Sequence, residues 1–376
     1  MSPKKILIIN KFCPFHPLTG GAEKFLFEIL KRLNNHQIYY LCVRFPGSLK
    51  EERKENITFI RVGLPFFFNV LTANILLPLV FRKYLKKINP DLVIENIGTI
   101  PFFTPLLDFA QKYNKVIILH QFNRHFFLKN KRYFFGLISY LLEKLFLIFY
   151  RQEVVFFVSQ WLKKELILHN FTKIYHLNCG VEEKYFAINK KYSRLPTILY
   201  LNRIEYRKGL DLLLKVYPLI KAKIPNIKLQ IAGNFFYFGN KKFIKKIKKY
   251  QQEFPEIEFL GYVDENTKMR LFSSCWLFVN PSRLEGYGIS NLEANATGTF
   301  VIANDVLGLQ ESVNGGGILI DFSNPEKTAS TIIEWLNIEK LKRKENICRA
   351  WAKKHNWDKT FKKFVKVIKN EFNLDI

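Results

Sequence analysis

Two carboxylates with seven residues between them, Glu285 and Glu293, stand in a stretch suited to ligand work. Gly286 and Gly288 leave the backbone before Ile289 bare, and Leu292, Glu293 and Ala294 favour a helix starting near Ser290. A helix start presents unpaired N–H groups and a positive dipole end, which suits a phosphate. A carboxylate accepts hydrogen bonds from two adjacent hydroxyls, as on a ribose or hexose. Glu285 before the helix and Glu293 one turn inside it can serve one ligand, and the chemistry is that of a nucleotide sugar. The plain alternative is that both acids are solvated and the glycines only make a turn.

A second group is cationic. Arg203 and Lys208 flank a loop that feeds a helix start at Gly209-Leu210. Arg offers a planar fork and Lys a point charge, so the pair can clamp a diphosphate. Basic loop residues are otherwise solvated. On the N-terminal side, Gly20 and Gly21 lie between a strand-like run and an amphipathic helix, a phosphate-ready loop or a simple turn. Glu95 and His120 end apolar runs, where the strands of an open α/β sheet deliver ligand-binding groups. Gln121 and Arg124 follow on the loop after His120 and could reach an acceptor phosphate. The structural alternatives are a paired carboxylate at Glu95 and a core histidine at His120.

These residues need elements to hold them. Apolar runs at 4–10, 39–43, 58–62, 115–119 and 154–159, and again at 197–201, 228–233, 257–263, 276–279 and 300–303, read as strands. Helical patterns alternate with them, the signature of parallel α/β sheets. A chain of 376 residues has room for two such domains. A polar, Lys-rich stretch at 187–196 is the expected hinge, giving domains at 1–187 and 188–355.

The pattern Glu285, Gly286, Tyr287, Gly288, Ile289, Glu293, Ala294, Ala296, Gly298, Val301, Ile302, Ala303 resembles the signature of the family 4 glycosyltransferases, retaining nucleotide-sugar enzymes of the GT-B fold. Gly20-Gly21-Ala22-Glu23, Arg203 with Lys208-Gly209, and Trp357-Asp358 match further motifs of that family, in its order along nearly the whole chain. The resemblance implies two Rossmann-like domains with a cleft between them, and a last helix, 356–376, crossing back to the first. It implies donor contacts from Gly20, Gly21, Arg203, Lys208, Gly261, Val263, Glu285, Gly286, Tyr287, Gly288, Ile289 and Glu293. Glu285 would touch the sugar hydroxyls, Glu293 the ribose, and the backbone near Gly261 and Val263 the base. His120, Glu285, Arg203 and Lys208 would be catalytic, and Glu95, Gln121 and Arg124 would bind the acceptor. Asn295 and Thr297 depart from the usual Met and Cys or Ala, at positions expected to pack within the helix. Asn202 stands in place of the family's Gly.

There is no D-x-D motif, so neither metal nor cofactor is expected beyond the nucleotide sugar itself. Five scattered cysteines and no C-x-x-C fit a reducing cytoplasm, and no secretory leader is expected at the start. The net charge of +27 is spread over both halves. Without a helix-turn-helix or RNP-like signature, nucleic acid is not the expected partner. The residues 64–81 and 126–151 combine apolar and aromatic side chains, the second beside Lys129, Lys131 and Arg132. They are read as core or interfacial helices rather than spans, so an anionic membrane surface and a lipid-linked acceptor are expected, on the cytoplasmic face. Two other classes are an epimerase on the same fold and a non-catalytic membrane- or nucleic-acid-binding protein.

Overall fold

A computed structural model of the chain describes residues 2–65, 69–98, 100–107, 113–123, 126, 133–235 and 241–376. The chain divides into two compact units, Met1–Asn178 with Trp357–Ile376, and Cys179–Asn356.

The first unit is built on a sheet of β1 (Lys5–Ile9), β2 (Gln37–Val43), β3 (Glu51–Lys54), β4 (Ile57–Val62), β5 (Leu92–Ile97), β6 (Lys115–Leu119), β7 (Val154–Phe157) and β8 (Ile174–His176). Their order is β3-β4-β2-β1-β5-β6-β7-β8. Every neighbouring pair is parallel except β3 and β4. The central strands are continuous apolar runs because helices cover both faces. The strand order reverses at β1, which lies between β2 and β5. Loops leaving the carboxyl ends of β1, β5 and β6 therefore gather at a switch point, the usual ligand position in such sheets.

The helices of this unit are α1 (Gly21–Leu30), α2 (Asn69–Ile88), α3 (Tyr133–Phe149) and α4 (Gln160–Leu168). α2 takes up the apolar stretch from 69 to 81. It buries Ala73, Leu77, Phe81 and Leu85, a stripe four residues apart, while Ile75 and Leu79 face solvent. Among the described residues no helix is long and apolar enough to cross a membrane. The C-terminal helix Trp357–Phe372 packs within this unit. Trp357 meets the edge of Phe25, with ring centroids 5.4 Å apart, and Phe364 packs on Phe156 at 5.1 Å. Arg32 bonds Asp358 at 2.7 Å, and Tyr175 donates to Glu371.

The second unit has the sheet order β11-β10-β9-β12-β13-β14. Its strands are β9 (Thr197–Leu201), β10 (Lys228–Ala232), β11 (Glu258–Gly261), β12 (Leu277–Asn280), β13 (Phe300–Asn304) and β14 (Gly317–Ile320), all paired in parallel. The helices are α5 (Leu210–Lys223), α6 (Lys241–Glu253), α7 (Glu265–Ser274), α8 (Ile289–Ala296), α9 (Leu307–Val313), α10 (Pro325–Trp335) and α11 (Ile338–Lys353). Leu213, Tyr217, Phe243, Ile247 and Ile332 join the strand side chains in its core. The switch point lies between β9 and β12, where the two loops richest in charged residues leave the sheet.

Residues 179–187 go with the second unit, so the division falls earlier than the sequence suggested. Val181 donates to His355 O at 3.0 Å, Tyr185 is buried beside Phe272, and Arg349 bonds Phe186 O and Ile188 O. The stretch expected to be a hinge is likewise pinned down. Lys190 Nζ reaches Phe272 O, Cys275 O and Thr299 Oγ1 at 2.5–3.0 Å, and Trp276 donates to Ser193 O.

Candidate active site

In the second unit two loops meet at the switch point, one after β9 and one after β12. The β9 loop carries Arg203, Glu205, Arg207 and Lys208, with Gly209 at φ +68° admitting the turn into α5. A Cβ at Gly209 would lie 2.0 Å from Pro281 O, so only glycine allows the two loops to touch there. The β12 loop carries Ser282, Arg283 and Glu285. Lys208 Nζ bonds Glu285 Oε1 at 2.5 Å, and Ser282 Oγ donates to the same oxygen at 3.1 Å. The cations and the acid singled out in the sequence therefore share one site. Burial pulls the Lys208 ammonium below its ordinary pKa, opposed by Glu285.

Glu205 organises the cations. Its Oε1 lies 3.4 Å from Arg203 Nη2 and accepts from Arg207 Nη2 at 3.0 Å. Burial works to raise its pKa, but Arg207 and the neighbouring cations outweigh this and hold it down at about 2. Arg203 keeps 28% of its side chain exposed.

α8 starts where the sequence placed a helix, after Gly288 at φ +88°. The glycine is required, because a Cβ would meet Leu309 Cδ2 at 2.6 Å. Gly308 packs closer still, its would-be Cβ 1.8 Å from Glu285 O, so α9 braces the loop from behind. Glu293 is buried on α8, its Oε2 3.1 Å from Lys268 Nζ of α7. Asn295 is also buried and donates to Thr299 O and Gly316 O, a packing role as expected.

The side chain of Tyr287 is buried edge-on to His355, so its backbone is the part that faces a donor role. Gly261 sits at φ +64° at the end of β11, and its carbonyl accepts from Gly233 N at 2.7 Å, so that oxygen is already used within the sheet. Val263 is partly exposed, and Tyr262 between them is 77% exposed.

In the first unit, Gly20 precedes α1 in extended conformation and its N–H donates to Glu23 Oε2 at 2.8 Å. The glutamate of the Gly-Gly-x-Glu motif thus folds back over the helix start. His120 follows β6, nearly buried, with Nε2 2.8 Å from Asn96 Oδ1. Asn96 Nδ2 in turn reaches Asn10 Oδ1 at 3.2 Å. Burial lowers His120 to about 3, which keeps the imidazole neutral near pH 7. Gln121 is nearly buried and donates to Asn123 Oδ1. Arg124 lies outside the described residues.

Glu95 is a correction. It sits in the core rather than on the rim, fully buried, accepting from Phe102 N and Tyr150 Oη at 2.7 Å each and from Thr104 Oγ1. Burial raises its pKa despite these donors. A strand's last residues alternate faces, and Glu95 takes the inward one. It anchors the loop after β5 and offers nothing to an acceptor.

Sequence reasoning did not single out Glu205, Arg207, Asp211, Lys268 or Arg283. Glu205 carried a signal, a lone acid among three cations. Arg207 pairs with Glu205 two positions before it, whereas Asp211, Lys268 and Arg283 owe their places to partners 25 to 77 positions away in the chain.

The Glycosyl transferases group 1 model matches residues 181–367, and the Glycosyltransferase Family 4 model matches residues 19–185. The chain belongs to this glycosyltransferase family. Two uncharacterized glycosyltransferases of Methanocaldococcus jannaschii are similar to it. One is 32% identical over 46% of this chain, and the match spans only 44% of that relative's length. The other is 25% identical over 92% of this chain and 93% of its own. The fold is that of GT-B glycosyltransferases. Sucrose-phosphate synthase from Thermosynechococcus elongatus superposes with a TM-score of 0.79 over 98% of this chain and 99% of its own, at 17% identity. Anabaena HepE, solved with UDP and glucose, gives 0.73 over 97% and 99%, at 19% identity.

Proposed function

We propose that this glycosyltransferase moves a hexosyl group from a nucleotide diphosphate sugar to a saccharide or lipid-linked saccharide, retaining the anomeric configuration and using no metal ion. The observation that carries this reading is the 2.5 Å ion pair of Lys208 with Glu285, in a loop frame that also bears Arg203. Group transfer breaks the bond between C1 and a diphosphate oxygen and sheds negative charge onto that oxygen. Arg203, Lys208 and the amides after Glu285 take up the charge in a partly dry site, where fixed cations act more strongly than in water. They supply the counter-charge for which other transferases use a divalent cation. Glu285 accepts from the sugar hydroxyls and Glu293 from the ribose. The acceptor hydroxyl attacks C1 from the face the diphosphate leaves, and its proton passes to the departing phosphate oxygen. We assign His120 to the sugar as a neutral hydrogen-bonding group, and the acceptor to the first unit. HepE, a protein of the same fold, was solved with UDP and with UDP-glucose, which supports a nucleotide-sugar donor.

An acceptor held at an anionic membrane on the cytoplasmic side fits one face of α3. Leu137, Leu141, Leu145 and Ile148 recur at helical spacing and are exposed, with Ile138 and Phe149 beside them. Lys144 is exposed on the same helix. The +27 net charge would draw such a face to anionic lipid.

The test is a thermal-shift screen of UDP, GDP and ADP, followed by turnover of the matching nucleotide sugars in EDTA and NMR of the product's anomeric proton. Stabilisation by at least one diphosphate and a retained anomer are expected. Inversion at C1, or activity abolished by chelation, would overturn the mechanism.

A further inference from the structure

Resting on that donor reading, the structure assigns Arg283 a positioning role: it locks the loop of Glu285 to the loop of Lys208, so that the diphosphate cations and the sugar acid are held as one preassembled frame.

Lys208 and Glu285 lie 77 positions apart in the chain, and each projects from a loop. Their meeting depends on how those loops are fixed. Arg283 supplies the fastening at four points. Its backbone N–H donates to Arg207 O at 2.7 Å. Its Nη1 donates to Tyr206 O at 2.8 Å and to Asp211 Oδ1 at 2.7 Å, and its Nη2 donates to Asp211 Oδ2 at 2.9 Å. The guanidinium also lies over the Tyr206 ring, 4.1 Å from its centroid.

Asp211 stands in the first turn of α5, directly after the cation loop, and its side chain is 6% exposed. The fork thus binds Glu285's loop to both ends of the segment bearing Arg207 and Lys208. A planar, two-pronged donor stacked on a ring is something lysine cannot imitate. Lys246 also approaches Asp211, at 3.3 Å, but from α6, so it ties no loop to the other. Neither Arg283 nor Asp211 is needed to touch the donor. A misplacement of about 1 Å in such a frame costs about 100-fold in rate.

The experiment compares Arg283→Ala, Arg283→Lys, Asp211→Asn and the double variant Arg283→Ala/Asp211→Ala in the full chain. UDP, GDP and ADP affinities are measured by calorimetry, and kcat and KM with the nucleotide sugar of whichever base binds. Asn324→Ala serves as a stability control. It removes the α10 cap, where Asn324 Oδ1 accepts from Lys327 N at 3.0 Å, and touches neither loop.

Arg283→Ala is expected to lower kcat/KM about 100-fold and nucleoside diphosphate affinity about tenfold. Arg283→Lys should fail to rescue, and the double variant should be no worse than the single. Asn324→Ala should lower Tm and leave both constants unchanged. If Arg283→Ala does not fold, Asp211→Asn, of equal volume, carries the same test. Variants that bind and turn over within twofold of wild type, or that lose no more than Asn324→Ala does, overturn the role of Arg283. A wild-type chain that binds none of the three diphosphates overturns the donor reading first, and this inference with it.

Discussion

A carboxylate paired with a lysine inside a ligand site has two loads, holding the cation and meeting the ligand. Glu285→Gln keeps the shape and removes the charge. Transfer should fall about 100-fold, since the sugar hydroxyls lose their charged acceptor and Lys208 its counter-charge. Nucleoside diphosphate affinity should hold or tighten, because Lys208 is released to the phosphate. Unchanged transfer in a donor-turnover assay would refute the role of Glu285. Lys190 gives a residue-level prediction of another kind. Burial lowers its ammonium from 10.5 to about 8. Between those values the unfolded chain binds the extra proton, so stability of the second unit should rise with pH from about 8 to 10.5. Denaturant titrations across that window should show the rise in wild type and lose it in Lys190→Met. A flat wild-type profile would count against it. The cations and acids of the site were legible because their types announce their chemistry: Arg203, Lys208, Glu285 and Glu293 each stand where a loop feeds a helix. Glu95 misled because position at a strand end does not say which face the side chain takes. Arg283 was invisible, since its partner Asp211 lies 72 positions away.

Among the elements, buried parallel strands were the easiest to read, being short apolar runs between turns. β3 escaped notice. Its sequence, Glu-Glu-Arg-Lys, has no apolar side chain, and it is a charged edge strand held by its antiparallel partner. α3 was recognised as a helix, yet its orientation could not be read. The structure turns Glu143 inward, where it accepts from Asn123 N at 2.6 Å, and turns the leucines outward. Glu143, an acid in mid-helix, is thus an internal cap for the loop after β6. Leu141→Glu combined with Leu145→Glu should abolish flotation with phosphatidylglycerol vesicles at low salt while leaving Tm within a few degrees, because neither side chain packs in the core. Equal flotation of this variant and wild type would exclude α3 as the contact.

For the molecule as a whole, the first unit borrows its last helix from the far end of the chain. Deleting 357–376 removes Trp357 and Phe364 from beside Phe25 and Phe156. Loss of two large buried aromatics costs several kcal/mol, about 3–5 for each. The truncated chain should therefore lose a thermal transition or show it at much lower temperature, while the second unit, Cys179–Asn356, melts as before. Calorimetry would settle it, and two undisturbed transitions would contradict the packing.

That borrowed helix also sets an order of events during synthesis. Domains generally fold as they leave the ribosome, the earliest first. Here the body that begins with Met1 cannot close until its final twenty residues have emerged, whereas the one encoded in the middle is complete sooner. The exposed surface left waiting on β7, β8 and α1 is then a claim on chaperones, and a stop codon late in the message would harm the beginning of the protein more than its middle.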